Sequence, residues 1–178
     1  MSSNEVPAPD PREFRRVIGL FATGVCVVAV QMDGEVRGMT ANAVMSVSLD
    51  PLLVCVSVDR RTRMIQLLER CTAFTINILH KDQEGLSQYF AGLWKHPTPP
   101  EYEFESWLGG ARLTGSLGSI ACQVHEILEG GDHRLFLGRV IGLSRSDGPL
   151  SPLLFFGGRY HHVRTPTMDP VDVLVGEL

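Results

Sequence analysis

The feature that most constrains this fold is a series of short apolar segments separated by turn signals, with few helical patterns between them. Asp33-Gly34 and the sequence EGGDHR are turn signals that each join two such segments. Strands that do not alternate with long helices favour a closed or nearly closed antiparallel barrel over a doubly wound sheet. We therefore predict a mainly β protein, a β-barrel with a few short helices, whose strands cover residues 24–30, 35–41, 52–58, 72–79, 120–128, 135–143, 153–156 and 159–163.

Three short helices are predicted beside the strands. Asp10 followed by Pro11 is an N-cap with proline at the first helical position. Thr62 is predicted to cap a second helix, and Asp82 to open a third. The first helix presents one apolar face, because its apolar residues recur at i, i+3, i+4 and i+7 as Phe14, Val17, Ile18 and Phe21.

The length and composition indicate one globular domain. The 178 residues suffice for a single core, which we place at 10–163, between a flexible leader at 1–9 and a C-terminal extension at 164–178. The net charge of −4 argues against nucleic-acid binding, and no apolar stretch is long enough to span a membrane. The four cysteines form no CxxC pair, and the N-terminus is not a secretory signal, so we expect buried thiols in the cytoplasm.

Residues 92–110 form the one long stretch without a clear strand or helix pattern. The stretch is rich in Pro, Gly and Trp, and long loops of this kind tend to be functional or mobile. Trp94 and Trp107 either form a lid or cover an edge of the core.

Small polar residues crowd the segment that precedes the apolar strand at 52–58. The segment holds Thr40, Asn42, Ser46 and Ser48 and has no cluster of strong turn-formers before Asp50-Pro51. Its simplest interpretation is a polar connection between two strands. The alternative is a row of donors and acceptors for the polar edge of a flat ring, because small side chains let a ligand approach the backbone.

A second polar group follows the same strand and precedes a predicted helix. A helix N-terminus with arginine and hydroxyl donors forms an anion site, and arginine grips a phosphate through two parallel bonds. Together the two groups indicate a phosphate-bearing heterocycle, a nucleotide or a flavin, unless Arg60 and Arg61 are simply solvated. The residues of this second group are Ser57, Asp59, Arg60, Arg61 and Thr62.

Several ordered blocks of the chain resemble the short-chain flavin reductases, the reductase partners of two-component flavin monooxygenases. The blocks run from Phe14 to His161 and read FATGVCVVAV, RGMTANAVMSVSLDPLLVCVSVDRRT, FTINIL, LSQYFAG, GGDHRLFLGRV and FFGGRYH. The resemblance implies an FMN-binding split barrel of Greek-key-like antiparallel strands, a homodimer, and NAD(P)H-dependent reduction of FMN or FAD. Leu52 replaces a second proline that is frequent in the family, and residues 92–110 match it poorly.

The resemblance also implies which residues bind the flavin. Hydride transfer between two stacked rings needs no nucleophile and no metal. Residues 40–42 would meet the ring edge, Ser46 and Ser48 the ribityl chain or phosphate, and residues 57–62 the phosphate, although both serines could equally face solvent from a loop. The implied cofactor-binding residues are Thr40, Ala41, Asn42, Ser46, Ser48, Ser57, Asp59, Arg60, Thr62, Arg159 and Tyr160.

His133 is the one catalytic residue that we predict. It follows Gly131-Asp132 in the turn between two strands, where an exposed turn histidine is the simpler interpretation. The family's Gly-Asp-His block places it near the nicotinamide or the flavin, as a ring-positioning or proton-donating group. Arg159 and Tyr160 either close the barrel or reach the flavin site, in their own subunit or its mate. His161 and His162 point to opposite strand faces and make a poor metal site.

Two functions remain from the sequence. The first is an NAD(P)H:flavin oxidoreductase that supplies reduced flavin to a separate flavin-dependent monooxygenase. The second is a split-barrel module that holds flavin without turnover; a pyridoxamine-phosphate-oxidase type enzyme would need a substrate-binding set that we do not see. No G-x-G-x-x-G follows a strand, so we expect the nicotinamide nucleotide to bind in an open cleft rather than on a Rossmann domain.

Overall fold

A computed structural model describes residues 8–163, which form three α-helices, one 3₁₀ turn and twelve strands. The strands outnumber the helices because apolar runs of four to eight residues dominate the chain. The helices are α1 (Pro11–Ile18), α2 (Met64–Arg70) and α3 (Glu84–Phe90), and the 3₁₀ turn is Lys81–Gln83. The strands are β1 (Thr23–Gly24), β2 (Cys26–Met32), β3 (Glu35–Ala41), β4 (Val44–Leu49), β5 (Leu52–Asp59), β6 (Ala73–Ile78), β7 (Phe104–Trp107), β8 (Gly110–Leu113), β9 (Gly118–Gly130), β10 (His133–Arg145), β11 (Leu153–Phe156) and β12 (Arg159–His162).

Seven of these strands form one antiparallel sheet in the order β3-β2-β6-β9-β10-β5-β4. Its two edges, β3 and β4, are consecutive in the chain but share no ladder, and α2 packs against both β3 and β5. A curved sheet whose edges remain apart is a split barrel, as the sequence predicts. A three-stranded sheet, β1-β11-β12, and the hairpin β7-β8 lie outside it.

The core lies on both faces of the central strands, because successive side chains of a strand point to opposite sides. In β2, Val28 and Val30 join the cluster that includes Phe74, Phe136 and Leu68 of α2. Val27, the residue before Val28, joins a second cluster with Leu79, Leu113 and Leu153. Burial on both faces explains why β2 reads as a continuous apolar run rather than as an alternating one.

Turn chemistry fixes the first hairpin as predicted. Asp33 and Gly34 have φ values of 53° and 80°, and a two-residue type I′ turn requires positive φ at both positions. The register that follows pairs Met32 with Glu35 and Cys26 with Ala41. The predicted strand at 35–41 is therefore confirmed at both ends.

The second half of the polar segment before β5 is a strand, and Asn42 lies in a two-residue connection before it. Ser46 and Ser48 lie in β4, which pairs with β5 across a register shift between them, and a cis Asp50-Pro51 bond lies between the two strands. The loop interpretation of Ser46 and Ser48 is wrong, because backbone pairing with β5 overrides the low strand propensity of serine.

The helix starts differ from expectation at two of three positions. Asp10 caps α1 as predicted, accepting a hydrogen bond of 2.9 Å from Arg12 N. The predicted cap at Thr62 is wrong, because its hydroxyl donates to Asp59 O and α2 begins one residue after Arg63, without a side-chain cap. The predicted opening at Asp82 is a 3₁₀ turn capped by His80, and α3 begins just after it.

Residues 92–110 contain an unpredicted element, the strand β7, which pairs with β8. Trp107 and Leu108 pack against Gly142 of β10, where any larger side chain would collide with Leu108. Trp107 thus packs on β10, an interior strand of the sheet. Trp94 rests instead on Gly85 of α3, 3.3 Å from the position that a Cβ would take there.

Candidate functional site

Two of the predicted site segments meet at the end of β5. His133 pairs directly with Asp59 in the β5–β10 ladder, and Arg60 N donates to Asp132 O over 3.1 Å. The sheet therefore brings the 57–62 group beside the Gly-Asp-His turn, although about seventy residues separate them in sequence. We call this region the rim, meaning residues 41–43, 57–62 and 129–133.

The β3–β4 connection lies next to the same strand end. Ser57 N donates to Ala43 O over 3.0 Å, which fixes the connection against β5. Ala41 is buried and Asn42 is exposed, so the Asn42 amide is open to a ligand while its neighbour anchors the backbone. The rim thus contains six of the predicted cofactor-binding residues in addition to His133: Ala41, Asn42, Ser57, Asp59, Arg60 and Thr62.

Thr40 and Tyr160 are joined through a residue that the sequence analysis missed. Thr40 Oγ1 donates to Ser87 O over 2.7 Å, and Ser87 Oγ lies 2.9 Å from the Tyr160 hydroxyl. Ser87 is fully buried in α3. Its only signal in the sequence is a polar residue in the block LSQYFAG, on a helix whose other inward residue is Leu86.

Three predicted residues are not drawn into this arrangement. Ser48 accepts a hydrogen bond of 3.2 Å from Asp50 N at the β4–β5 turn, which is the opposite end of β5 from Asp59. Ser46 pairs with Val54 and is exposed, and Arg159 is exposed opposite Phe156. Nothing in the described chain links these three side chains to the rim.

The acidic groups of the rim are already engaged by neighbouring cations. Arg61 binds the Asp59 carboxylate through its backbone N (2.8 Å), Nε (3.1 Å) and Nη2 (2.6 Å), which lowers the pKa of Asp59 well below its usual range. The pKa of Arg61 is raised in turn by Asp59. Asp59 therefore holds the conformation of the loop through Arg61, and its predicted role in flavin binding stays a prediction.

His133 is oriented by its neighbour in the turn. Its Nδ1 lies 2.7 Å from Asp132 Oδ1, and this hydrogen bond lowers the pKa of Asp132. The contact leaves Nε2 as the ring nitrogen available to a ligand. The His133 side chain is 39% exposed, so a bound molecule can reach it.

Arg60 is the arginine of the rim best placed to bind an anion. Its Nε donates to Gly131 O over 3.2 Å, its side chain is 39% exposed, and it also pairs with Glu129. The helix N-terminus contributes little, because α2 has only seven residues and begins after Arg63. The predicted phosphate grip therefore depends on Arg60 and not on a helix terminus.

The donor set of the rim suits a flavin. An exposed guanidinium fits a phosphate, and an exposed amide beside a small residue fits the polar edge of a planar ring. No group of three or more metal-ligating side chains occurs within residues 8–163. The cysteines of that range are free, and burial raises the pKa of Cys26 and of Cys122 to about 12, so both thiols stay protonated at neutral pH.

A cavity of about 540 Å³ lies elsewhere, between the start of α3 and residues 100–103. It is lined by acidic and aromatic side chains, among them Asp82, Glu101, Tyr102 and Glu103. None of the predicted site residues lines it.

Comparison with known proteins identifies the family. The model of the flavin reductase like domain matches residues 18–164. The chain belongs to the flavin reductase-like family. This flavin reductase is 37% identical over 155 residues to the reductase component of 4-hydroxyphenylacetate 3-monooxygenase from Thermus thermophilus, covering 86% of this chain and 97% of that protein.

Solved structures agree with the fold. Flavin reductase PheA2 superimposes with a TM-score of 0.83 and 41% identity, covering 88% of this chain and all of that one. The NADH:FAD oxidoreductase SgcE6 of Streptomyces globisporus C-1027, solved with NAD and FAD fragments, gives a TM-score of 0.78 and 34% identity over 92% of this chain. The predicted family, split-barrel fold and oxidoreductase class are confirmed, and the site residues stay predictions.

No helix within residues 8–163 is both long and apolar enough to cross a membrane. The predicted leader and C-terminal extension lie at 1–9 and 164–178, almost wholly outside the described residues, and stay predictions.

Proposed function

We propose that this flavin reductase oxidises NADH and reduces free FMN or FAD, and that the reduced flavin leaves for a separate flavin-dependent monooxygenase. The observation that carries the proposal is the meeting of Asn42, Arg60 and His133 on one rim. The similar proteins support it, since one is named the reductase component of a monooxygenase and another an NADH:FAD oxidoreductase.

Each rim residue has a task that its contacts allow. Arg60, held at Nε by Gly131 O, turns its remaining N–H groups toward the flavin phosphate. Asn42 donates to the polar edge of the ring, and Ala41 and Ala43 leave room for the ring to approach the backbone. A bound flavin supplies the chemistry by accepting the hydride of the nicotinamide.

His133 has the clearest catalytic task. Asp132 holds its Nδ1, so Nε2 faces the ligand and either positions the ring or holds a proton there. The site needs no thiolate, in agreement with buried and protonated cysteines. Free thiols throughout the described residues also fit the reducing cytoplasm that we propose as its location.

We further propose that the enzyme is a homodimer. Within residues 8–163, the apolar residues of α1 and of the turn after it are uncovered, with Phe14 63% and Val17 60% exposed in the helix and Phe21 71% exposed beyond its end. Strand β4 also exposes large apolar side chains, with Met45 59% and Leu49 74% exposed. Surfaces of this kind mark interfaces, and a second copy of the chain would cover them. A dimer would also offer Ser46, Ser48 or Arg159 a place at the partner's site.

The assembly is tested by light scattering coupled to size exclusion. We expect the mass of two chains for the parent and of one chain for Phe21→Glu, because a buried charge opposes association. The matched control is Leu128→Glu, an exposed apolar residue on β9. A monomeric parent contradicts the dimer.

The reaction is tested by the loss of nicotinamide absorbance with purified protein. NADH and NADPH are each supplied with and without added FMN or FAD. We expect fast oxidation of NADH that depends on added flavin. A flavin that binds and is not reduced by either nucleotide would instead support the binding module.

A further inference from the structure

Three arginines in or beside the rim are paired with carboxylates in different ways. Arg61 binds Asp59 through Nε and Nη2, and Arg134, next to the rim, is held by Glu69 and, over 3.0 Å at Nη2, by Glu129. Arg60 shares Glu129 with Arg134, because the two oxygens of this carboxylate face the two guanidinium groups. Arg60 therefore keeps free N–H groups while one anion is already on it.

We infer that Glu129 competes with the flavin phosphate for Arg60 and so keeps the flavin loosely bound. This inference rests on the proposed function, in which Arg60 binds that phosphate. A phosphate on the free side of the guanidinium would be the second anion on one cation. Its charge would be repelled by Glu129, which Arg134 and the β9 strand hold in place.

The position of Glu129 at the end of β9 keeps its carboxylate beside Arg60. It is the second-last residue of β9, and its register partner in β10 is Arg134. Gly131 O and Asp132 O in the same turn bind Arg60 at its side chain and backbone. The turn therefore holds the cation, and the strand that enters the turn holds its competing anion, which pairs with two arginines.

The expected size of the effect follows from solvent exposure. The Glu129 side chain is 64% exposed, so water and salt screen its charge. At an effective dielectric constant near that of water, one like charge beside a doubly charged phosphate weakens binding by about 3- to 10-fold. A lower affinity for flavin gives a faster dissociation of the reduced flavin, which suits an enzyme that must release its product to another protein.

The test compares Glu129→Gln with Glu126→Gln. Glu126 lies on the same strand, is exposed, and makes no ion pair in the described chain, so its replacement gives the same change of net charge. Binding of FMN and of riboflavin, which lacks the phosphate, is measured by quenching of flavin fluorescence. We expect Glu129→Gln, and not Glu126→Gln, to tighten FMN binding by about 3- to 10-fold, and this gain should shrink in high salt. The affinity for riboflavin should not change.

A third variant separates this inference from the proposed function. Arg60→Ala should weaken FMN binding and abolish the gain from Glu129→Gln. If Arg60→Ala weakens FMN binding and Glu129→Gln does not tighten it, competition is overturned and the phosphate grip remains. If Glu129→Gln weakens FMN binding, Glu129 positions Arg60 and the inference is wrong. If Arg60→Ala has no effect on FMN binding, Arg60 does not bind the phosphate and the inference is also wrong. Flavin-dependent NADH oxidation by the parent still tests the proposed reductase activity separately.

Discussion

Two asparagines differ in where they lie: one holds the fold together, and the other is predicted to bind the ligand. Asn77 of β6 is fully buried, and each polar atom of its side chain has a partner. Asn42, between β3 and β4, is exposed and has no side-chain hydrogen bond within residues 8–163. Burial, and not residue type, therefore separates the asparagine that holds the barrel together from the asparagine that is open to a ligand.

The buried asparagine joins three parts of the structure. Its Nδ2 donates to Val27 O over 3.1 Å and to Thr75 Oγ1 over 3.2 Å. Its Oδ1 accepts from Leu113 N over 2.9 Å and from Ser119 Oγ over 2.8 Å. Asn77 thus attaches the β7–β8 hairpin to the central sheet, since Leu113 is the last residue of β8.

The largest expected effect comes from breaking this buried network. Asn77→Ala leaves Leu113 N and Ser119 Oγ without an acceptor, and we expect the free energy of unfolding to fall by about 3–4 kcal/mol. The matched change Asn42→Ala should shift it by less than about 0.5 kcal/mol and weaken flavin binding instead. Urea unfolding and flavin titration of both variants give the comparison. Equal losses of stability in both would break the contrast.

The next effect concerns the chemistry at the rim. We expect His133→Ala to lower kcat of flavin-dependent NADH oxidation by about 100-fold, the lower range for a positioned proton-transfer group. The flavin dissociation constant should change by less than about 3-fold, because the phosphate grip remains. Steady-state kinetics and flavin titration separate the two quantities.

The control for His133 is another exposed histidine. His125→Ala lies on β9 away from the rim and should leave kcat unchanged. If His133→Ala turns over flavin as fast as the parent, His133 is an ordinary turn histidine. If affinity falls and kcat does not, His133 binds flavin and has no part in the chemistry.

The same contrast explains which features could be predicted. Asp33-Gly34 and Asp10-Pro11 were predictable because their geometry depends on adjacent residues. The strand β4 was not, because its pairing with β5 decides its conformation and its serines suggest a loop. Resemblance to a family suggested Asn42 and His133, and the ladder that makes His133 a neighbour of Asp59 needed the structure.

Ser87 could not be found from sequence because its two partners are far away in the chain. Thr40 and Tyr160 lie 47 and 73 residues from it. Buried like Asn77, it nevertheless binds two residues that we predict at the flavin site. Ser87 is therefore buried like a structural residue but bonded to residues predicted at the flavin site. Replacing it tests whether a buried polar group supports flavin binding through its neighbours.

The smallest expected effect comes from the bond between Ser87 and Tyr160. Ser87→Ala and Tyr160→Phe each remove it, and neither removes the bond from Thr40 to Ser87 O, which uses the backbone. A neutral hydrogen bond contributes about 0.5–1.5 kcal/mol, so we expect KM for flavin to rise about 3- to 10-fold in each variant. We expect kcat and KM for NADH to stay within about 2-fold, since the rim itself is unchanged.

The double variant decides between positioning and mere packing. If the single bond accounts for the effect, Ser87→Ala with Tyr160→Phe should be no worse than either change alone, because the second removes nothing further. Additive increases in KM would mean that each residue acts separately. A loss of stability without a change in KM would mean that Ser87 has a structural role only, like Asn77. A rise in KM confined to flavin would extend the flavin site inward from its exposed rim to α3.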